Sequence, residues 1–144
     1  MDYQNEFKQR KPSPQEMMDL AEKARKLAYA PYSKYQVGAA LLTKSGKIYL
    51  GCNVENASYG LTVCGERVAV FKAISEGETE FEALAIATPS RRGNGPCGSC
   101  RQVLREFCND LTIYVRKEGD KILSFQLTDL LPKSFGPQNL DGSE

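Results

Sequence analysis

The chain contains no histidine. That absence removes every Ser-His or Cys-His nucleophilic system and the side chain that ordinarily titrates near neutrality. A proton shuttle working near pH 7 must therefore be a carboxylate, Cys, Tyr or Lys. An excess of charge of one sign is also missing: 19 Lys and Arg against 18 Asp and Glu leave a net charge of +1. Arg91-Arg92 is only a pair, too little for a phosphate-tracking surface, so no nucleic-acid partner is expected. No apolar run approaches membrane-spanning length, which argues against a membrane partner. Met1 to Arg10 is polar and lacks the apolar stretch of a signal peptide, so a cytoplasmic location is expected. Internal repeats and low-complexity segments are absent. What remains is a chain of 144 residues, 41% hydrophobic and 26% charged, enough for one domain with one core.

Cysteine is present in odd number. Five thiols in a chain with no sign of secretion argue for metal or thiol chemistry over a disulfide framework. Three of them are grouped: Cys64-Gly65-Glu66, then Pro96-Cys97-Gly98-Ser99-Cys100. Three thiolates can hold a zinc ion and leave its fourth tetrahedral position open to water. A Glu two residues from a first ligand, followed by Pro-Cys-x-x-Cys, is the signature of zinc-dependent nucleobase deaminases. The Cys97/Cys100 pair alone would also suit a redox pair or a structural zinc site. A redox pair needs neither a third cysteine nor Glu66, and a structural site needs a fourth closed ligand, such as Cys52, Cys108, Asp or Glu. Cys52 and Cys108 form no second short-spaced pair with Cys64 and are expected to be core or spare thiols.

The pattern of apolar residues and breakers gives an element order. Residues 1–13 are expected to be a frayed polar tail. Ser13 can cap a helix with Pro14 as its first residue; Met17, Leu20, Ala21, Ala24, Leu27 and Ala28 share one face of it. Val37 to Thr43 and Ile48 to Cys52 read as strands joined by the turn Lys44–Lys47. Cys64 to Ser75 reads as a helix stopped by Gly77, Phe81 to Ala87 as a strand, Cys97 to Cys108 as a helix and Leu111 to Val115 as a strand. Only six residues, Arg116 to Lys121, separate that strand from Ile122-Leu123. Parallel neighbours need a crossover of a dozen or more residues, so the last two strands must be antiparallel. Each zinc cysteine is read at a helix start, where free amides and the helix dipole favour thiolate. Arg67 and Arg101 each lie within a few residues of a ligand, where a donor to the sulfurs would offset the net −1 charge of three thiolates on one Zn²⁺; a surface ion pair is the alternative role for either.

The chain resembles cytidine deaminases of the small, homotetrameric type from about Ala28 to Leu140. The resemblance rests on Ala30-Pro31-Tyr32-Ser33-Lys34-Tyr35-Gln36-Val37-Gly38, Gly51-Cys52-Asn53-Val54-Glu55-Asn56-Ala57, Cys64-Gly65-Glu66-Arg67, Pro96-Cys97-Gly98-Ser99-Cys100-Arg101-Gln102-Val103 and Leu130 to Pro137. It implies an α/β fold, a three-layer α/β/α sandwich around a mixed five-stranded sheet, in one catalytic domain spanning 14–140 with a short tail at 141–144. One Zn²⁺ per chain is implied, on Cys64, Cys97 and Cys100, with Glu66 as the proton carrier. Asn53 and Glu55 correspond to the pair that binds the ribose 3′-hydroxyl. Tyr35 falls where the family commonly has a Phe on the pyrimidine, and Gly65 replaces its usual Ala. Ala57, Tyr59 and Phe135 match segments lent to a neighbouring subunit's site. The implied reaction is hydrolytic deamination of cytidine and 2′-deoxycytidine to the uridines and ammonia, the chemistry of pyrimidine salvage. A deaminase of the aminonucleoside antibiotic blasticidin S shares the zinc motif, although Asn53-x-Glu55-Asn56-Ala57 favours an ordinary nucleoside. A non-enzymatic zinc-stabilised binding protein is the other alternative; it leaves Glu66 and the ribose-like loop without a role.

Overall fold

The structure, a computed structural model, describes residue 7 and residues 9–142. Its centre is a five-stranded sheet in the order β2-β1-β3-β4-β5. The strands are β1 (Gly38–Thr43), β2 (Ile48–Cys52), β3 (Phe81–Ala87), β4 (Thr112–Lys117) and β5 (Lys121–Gln126). β1 pairs antiparallel with both β2 and β3, β3 and β4 are parallel, and β5 returns antiparallel to β4. The final hairpin is thus as the short connection requires. β4 runs two residues past Val115, so the turn narrows to Glu118–Asp120, with Gly119 and Asp120 both at positive φ.

Helices cover both faces. α1 (Pro14–Arg25) packs Met17, Met18, Leu20 and Ala21 against Ala40, Leu42, Ala83 and Ala85 on one side of the sheet. On the other side α2 (Gly65–Ser75) and α3 (Gly98–Phe107) meet Leu41, Leu84, Ile86, Ile113 and Val115 through Ala69, Val70, Ala73 and Leu104. β1 and β3, buried along nearly their whole length, carry unbroken apolar runs rather than alternation, as strands covered on both faces do. The short α4 (Leu127–Leu130) closes the second layer through Leu127.

Two sequence expectations are corrected. α1 stops at Arg25, so Leu27 is 78% exposed instead of sharing the buried face. The chain leaves the helix because the Tyr29 amide donates to the Asn53 carbonyl and the Glu55 amide to the Tyr29 carbonyl, a bridge that needs extended backbone at 29. The amino-terminal segment is also anchored where frayed chain was expected: Phe7 is buried in the α1 layer, Arg10 lies over its ring at 5.1 Å, and Lys11 pairs with Glu82. The rest of that expectation, at residues 1–6 and 8, lies outside the described residues.

The crossing of β2 and α2 is the contact that sets the site. A Cβ on Gly51 would fall 2.3 Å from the Gly65 carbonyl oxygen and 2.5 Å from the Ala69 amide. Only glycine lets the strand backbone reach the helix backbone so closely. The first turn of α2 is thereby fixed against the end of β2, where Asn53 follows.

Candidate metal centre and nucleoside site

Cys64 and Cys97 do not lie inside their helices; they are the N-caps of α2 and α3, and Cys108 is the C-cap of α3. At their N-terminal ends, where Cys64 and Cys97 sit, the helices carry unpaired amides and a partial positive charge. The Cys97 sulfur accepts from the Cys100 amide at 3.5 Å. The sulfurs of Cys64, Cys97 and Cys100 all lie within 4.8 Å of one another, and those of Cys64 and Cys97 are 3.8 Å apart. Two thiolates at about 2.3 Å from a tetrahedral Zn²⁺ are themselves about 3.8 Å apart, so the donor set and its spacing fit zinc. Among the described residues this is the group of His, Cys, Asp and Glu able to hold an ion, and neither Cys52 nor Cys108 belongs to it. Three protein ligands with a fourth position left over is the arrangement of a catalytic zinc, not a closed structural one. Burial pushes the Cys108 thiol up to about 11 and the Cys52 thiol up as well, which fits their expectation as spare thiols.

Glu66, one residue into α2, is buried, with Oε2 3.8 Å from the Cys100 sulfur. Burial is the main cause that raises its carboxyl above the usual range, with the charge on Cys64 adding to it. The Cys64 sulfur is drawn down to about 5, chiefly by the hydrogen bond from Cys100 and then by Arg67, whose Nη2 donates to it at 3.1 Å. Cys100 is pushed up in turn by that hydrogen bond. Arg101 does not reach the sulfurs; it donates to the carbonyls of Pro96 and Leu130.

The residues matched to sugar contacts fall in two places. Asn53 is buried beside the metal helix: a Cβ on Gly65 would lie 3.3 Å from the Asn53 amide nitrogen and 3.1 Å from the Val37 carbonyl. Its side chain accepts from the Val37 amide at 2.8 Å and donates to the Tyr35 carbonyl at 2.9 Å, holding the turn that carries Tyr35. Glu55 accepts from the amides of Tyr32 and Ser33, both at 3.0 Å, and from the Ser33 hydroxyl, whose hydrogen bond does most to lower its carboxyl. With Tyr32, Ser33, Tyr59 and Thr62 it lines a cavity of about 310 Å³, where the Tyr32 and Tyr59 rings are 5.8 Å apart. Ser33 carries no sequence signal for this contact beyond its place in a turn. Ala57 is exposed, and Phe135 lies elsewhere, beside Gln102, Glu106 and Leu140 in a second cavity of about 300 Å³. The chain brings Cys64, Cys97, Cys100, Glu66 and Arg67 together; Phe135 stands apart from them in its own fold.

Residues 11–116 match the cytidine and deoxycytidylate deaminase zinc-binding region. The chain is 46% identical over 121 residues to a cytidine deaminase of Sporosarcina psychrophila, covering 83% of this chain and 89% of that one. Identity to a cytidine deaminase of Halalkalibacterium halodurans is 44% over 128 residues, 88% of this chain and 97% of that one. Among solved structures, a cytidine deaminase from Burkholderia pseudomallei superposes with a TM-score of 0.82 at 42% identity, covering 86% of this chain and all of the other.

Proposed function

Because the chain belongs to the cytidine deaminase family, we propose that it removes the amino group of cytidine and 2′-deoxycytidine by hydrolysis, releasing ammonia and the uridine product. The observation that carries the reading is the three-sulfur cluster with one buried carboxylate beside it. When bound by Cys64, Cys97 and Cys100, zinc supplies Lewis-acid activation of a water molecule. The protein's own work is proton transfer. Glu66 Oε2 sits at the rim of the cluster, where it accepts the proton the water loses and hands it to ring N3. Once the water oxygen has bonded to C4, Glu66 takes the proton of that new hydroxyl and delivers it to the amino group, which leaves as ammonia while the C4 carbonyl forms. Burial suits it to the first step, because a carboxylate with a raised pKa takes up the proton of the water more readily. Arg67 offsets the net negative charge of the cluster through Cys64.

Asn53 and Glu55 orient the sugar. Each keeps free hydrogen-bonding capacity beyond the bonds it makes to the turn at 32–37: the Asn53 amide has four sites and uses two. Tyr35 offers its ring face to the pyrimidine, and the Gly65 backbone N–H, in the first turn of α2, donates to the base. Ala57, Tyr59 and Phe135 complete a neighbouring subunit's site in a homotetramer, which accounts for Phe135 standing apart from its own chain's metal cluster. No nucleic-acid partner is part of this reading. The free state of all five cysteines fits a reducing compartment such as the cytoplasm.

The test is ammonia release from cytidine, 2′-deoxycytidine, cytosine, blasticidin S and a cytosine-containing oligonucleotide. Turnover of the two nucleosides is expected, and preference for the antibiotic or the oligonucleotide would replace this assignment. Glu66→Gln should keep fold and full zinc content while turnover drops by about 10²–10⁴-fold or more, the usual value of acid–base help. Near-normal turnover at full zinc occupancy would remove Glu66 from the mechanism.

A further inference from the structure

The three sulfurs are not held equally. Cys100 is fully buried inside α3, and Cys64 is fixed by the close crossing of α2 on β2. Cys97 is exposed and ends the irregular segment 88–96, so its position depends on how that segment is held. The Arg101 side chain grips the segment at its last residue. Nε donates to the Pro96 carbonyl at 2.7 Å, and Nη1 donates to the Leu130 carbonyl, at the end of α4, at 2.8 Å. The grip is packed as well as bonded: a Cβ on Gly95 would lie 3.2 Å from Leu130 Cδ1 and 3.6 Å from Arg101 Nη2.

We propose that Arg101 is a positioning residue for the zinc ligand Cys97, clamping the peptide just before it to the end of α4. A planar guanidinium presents donors in a fixed fork, so one side chain can hold two carbonyls of different segments at once; a lysine ammonium is a single point donor on a flexible stem. The same helix supplies a built-in control. Gln102 Nε2 donates to the Phe135 carbonyl at 3.0 Å and Arg105 Nε to the Ser134 hydroxyl at 2.8 Å. Both hold the arm after α4 and neither touches the segment leading to Cys97. Arg101 instead joins the segment leading to Cys97 to the end of α4.

The inference rests on the zinc reading, so the zinc content of the unsubstituted protein is measured first. No zinc there sinks that reading and this one with it; zinc present with unaltered release in the variants sinks this one alone. Zinc-loaded protein is mixed with an excess of a chromogenic chelator and release is followed in time, with circular dichroism and thermal denaturation on the same samples. Arg101→Gln is expected to release zinc about tenfold to a hundredfold faster with its secondary structure intact, the range seen when partners of metal ligands are removed. Arg101→Lys should fall between it and the unsubstituted chain, and carries the decision if Arg101→Gln does not fold. Arg105→Gln should release zinc at the unsubstituted rate. Release by both Arg101 variants within about twofold of the unsubstituted rate overturns the proposal. So does equally fast release by Arg105→Gln, which would assign the effect to a loosened arm.

Discussion

Asn53 serves two masters. Its amide ties the Val37 amide and the Tyr35 carbonyl to the end of β2, and its remaining donor and acceptor are left for a sugar hydroxyl. Asn53→Ala should therefore cost stability as well as nucleoside binding, about 1 kcal/mol for the part-buried Val37 amide and Tyr35 carbonyl left without partners. Urea unfolding checks it; an unchanged midpoint would mean that the turn holds itself. The three-sulfur cluster with Glu66 beside it is legible in the sequence because three thiols at such spacing, in a chain without histidine, have few uses besides holding a metal. The grip of Arg101 on two carbonyls is not, since every residue has a carbonyl and nothing in a sequence marks which one an arginine will find. Ser33 escapes for the same reason: a turn serine that serves Glu55 looks like any turn serine.

At the scale of elements, α1 starts with a capping box. The Ser13 hydroxyl accepts from the Glu16 amide, and the Glu16 carboxylate accepts from the Ser13 amide while pairing with Arg10. The Arg10 hydrogen bond first, and the Ser13 amide second, hold the Glu16 carboxyl down to about 2. A carboxyl lower in the folded chain than in the unfolded one stabilises fully above the ordinary carboxylate range, and that contribution fades as pH falls from about 4.3 towards 2. Glu16→Gln should be less stable than the unsubstituted chain at pH 6, with the gap narrowing at pH 3. A gap of constant size in unfolding curves at the two pH values would exclude the ionised carboxylate as its source. The cap is readable from Ser13 and Pro14, and the strand bounds at Ile48–Cys52 and Phe81–Ala87 coincide with their apolar runs. The end of α1 is not readable: Leu27 and Ala28 keep the helical period, but a bridge to Val54, distant in sequence, decides their backbone.

For the whole molecule, the exposed rings matter most. Tyr59 and Phe135 are 74% and 59% exposed on the single chain, as the proposed sharing of sites between subunits requires. If each site borrows Phe135 from a neighbour, co-expressing inactive Glu66→Gln chains with impaired Phe135→Ala chains should restore activity, since hybrid assemblies contain sites with both original residues. Each single variant must first be shown to assemble. Full activity of a monomer in sedimentation at assay concentration would end the shared-site reading. No helix among the described residues is long and apolar enough to cross a membrane.

The placement of α3 between β3 and β4 also sets an order of events in time. Those two strands are the parallel pair, and α3, which brings two of the three sulfurs, is the crossover between them. Pairing across such a crossover is a non-local step and comes slowly. If the sulfurs converge only once those contacts exist, zinc binds after the barrier. In stopped-flow experiments zinc should leave the refolding rate unchanged and slow unfolding, as an interaction absent from the transition state does. Refolding that accelerates with added zinc would show that the metal gathers its ligands before the sheet is made.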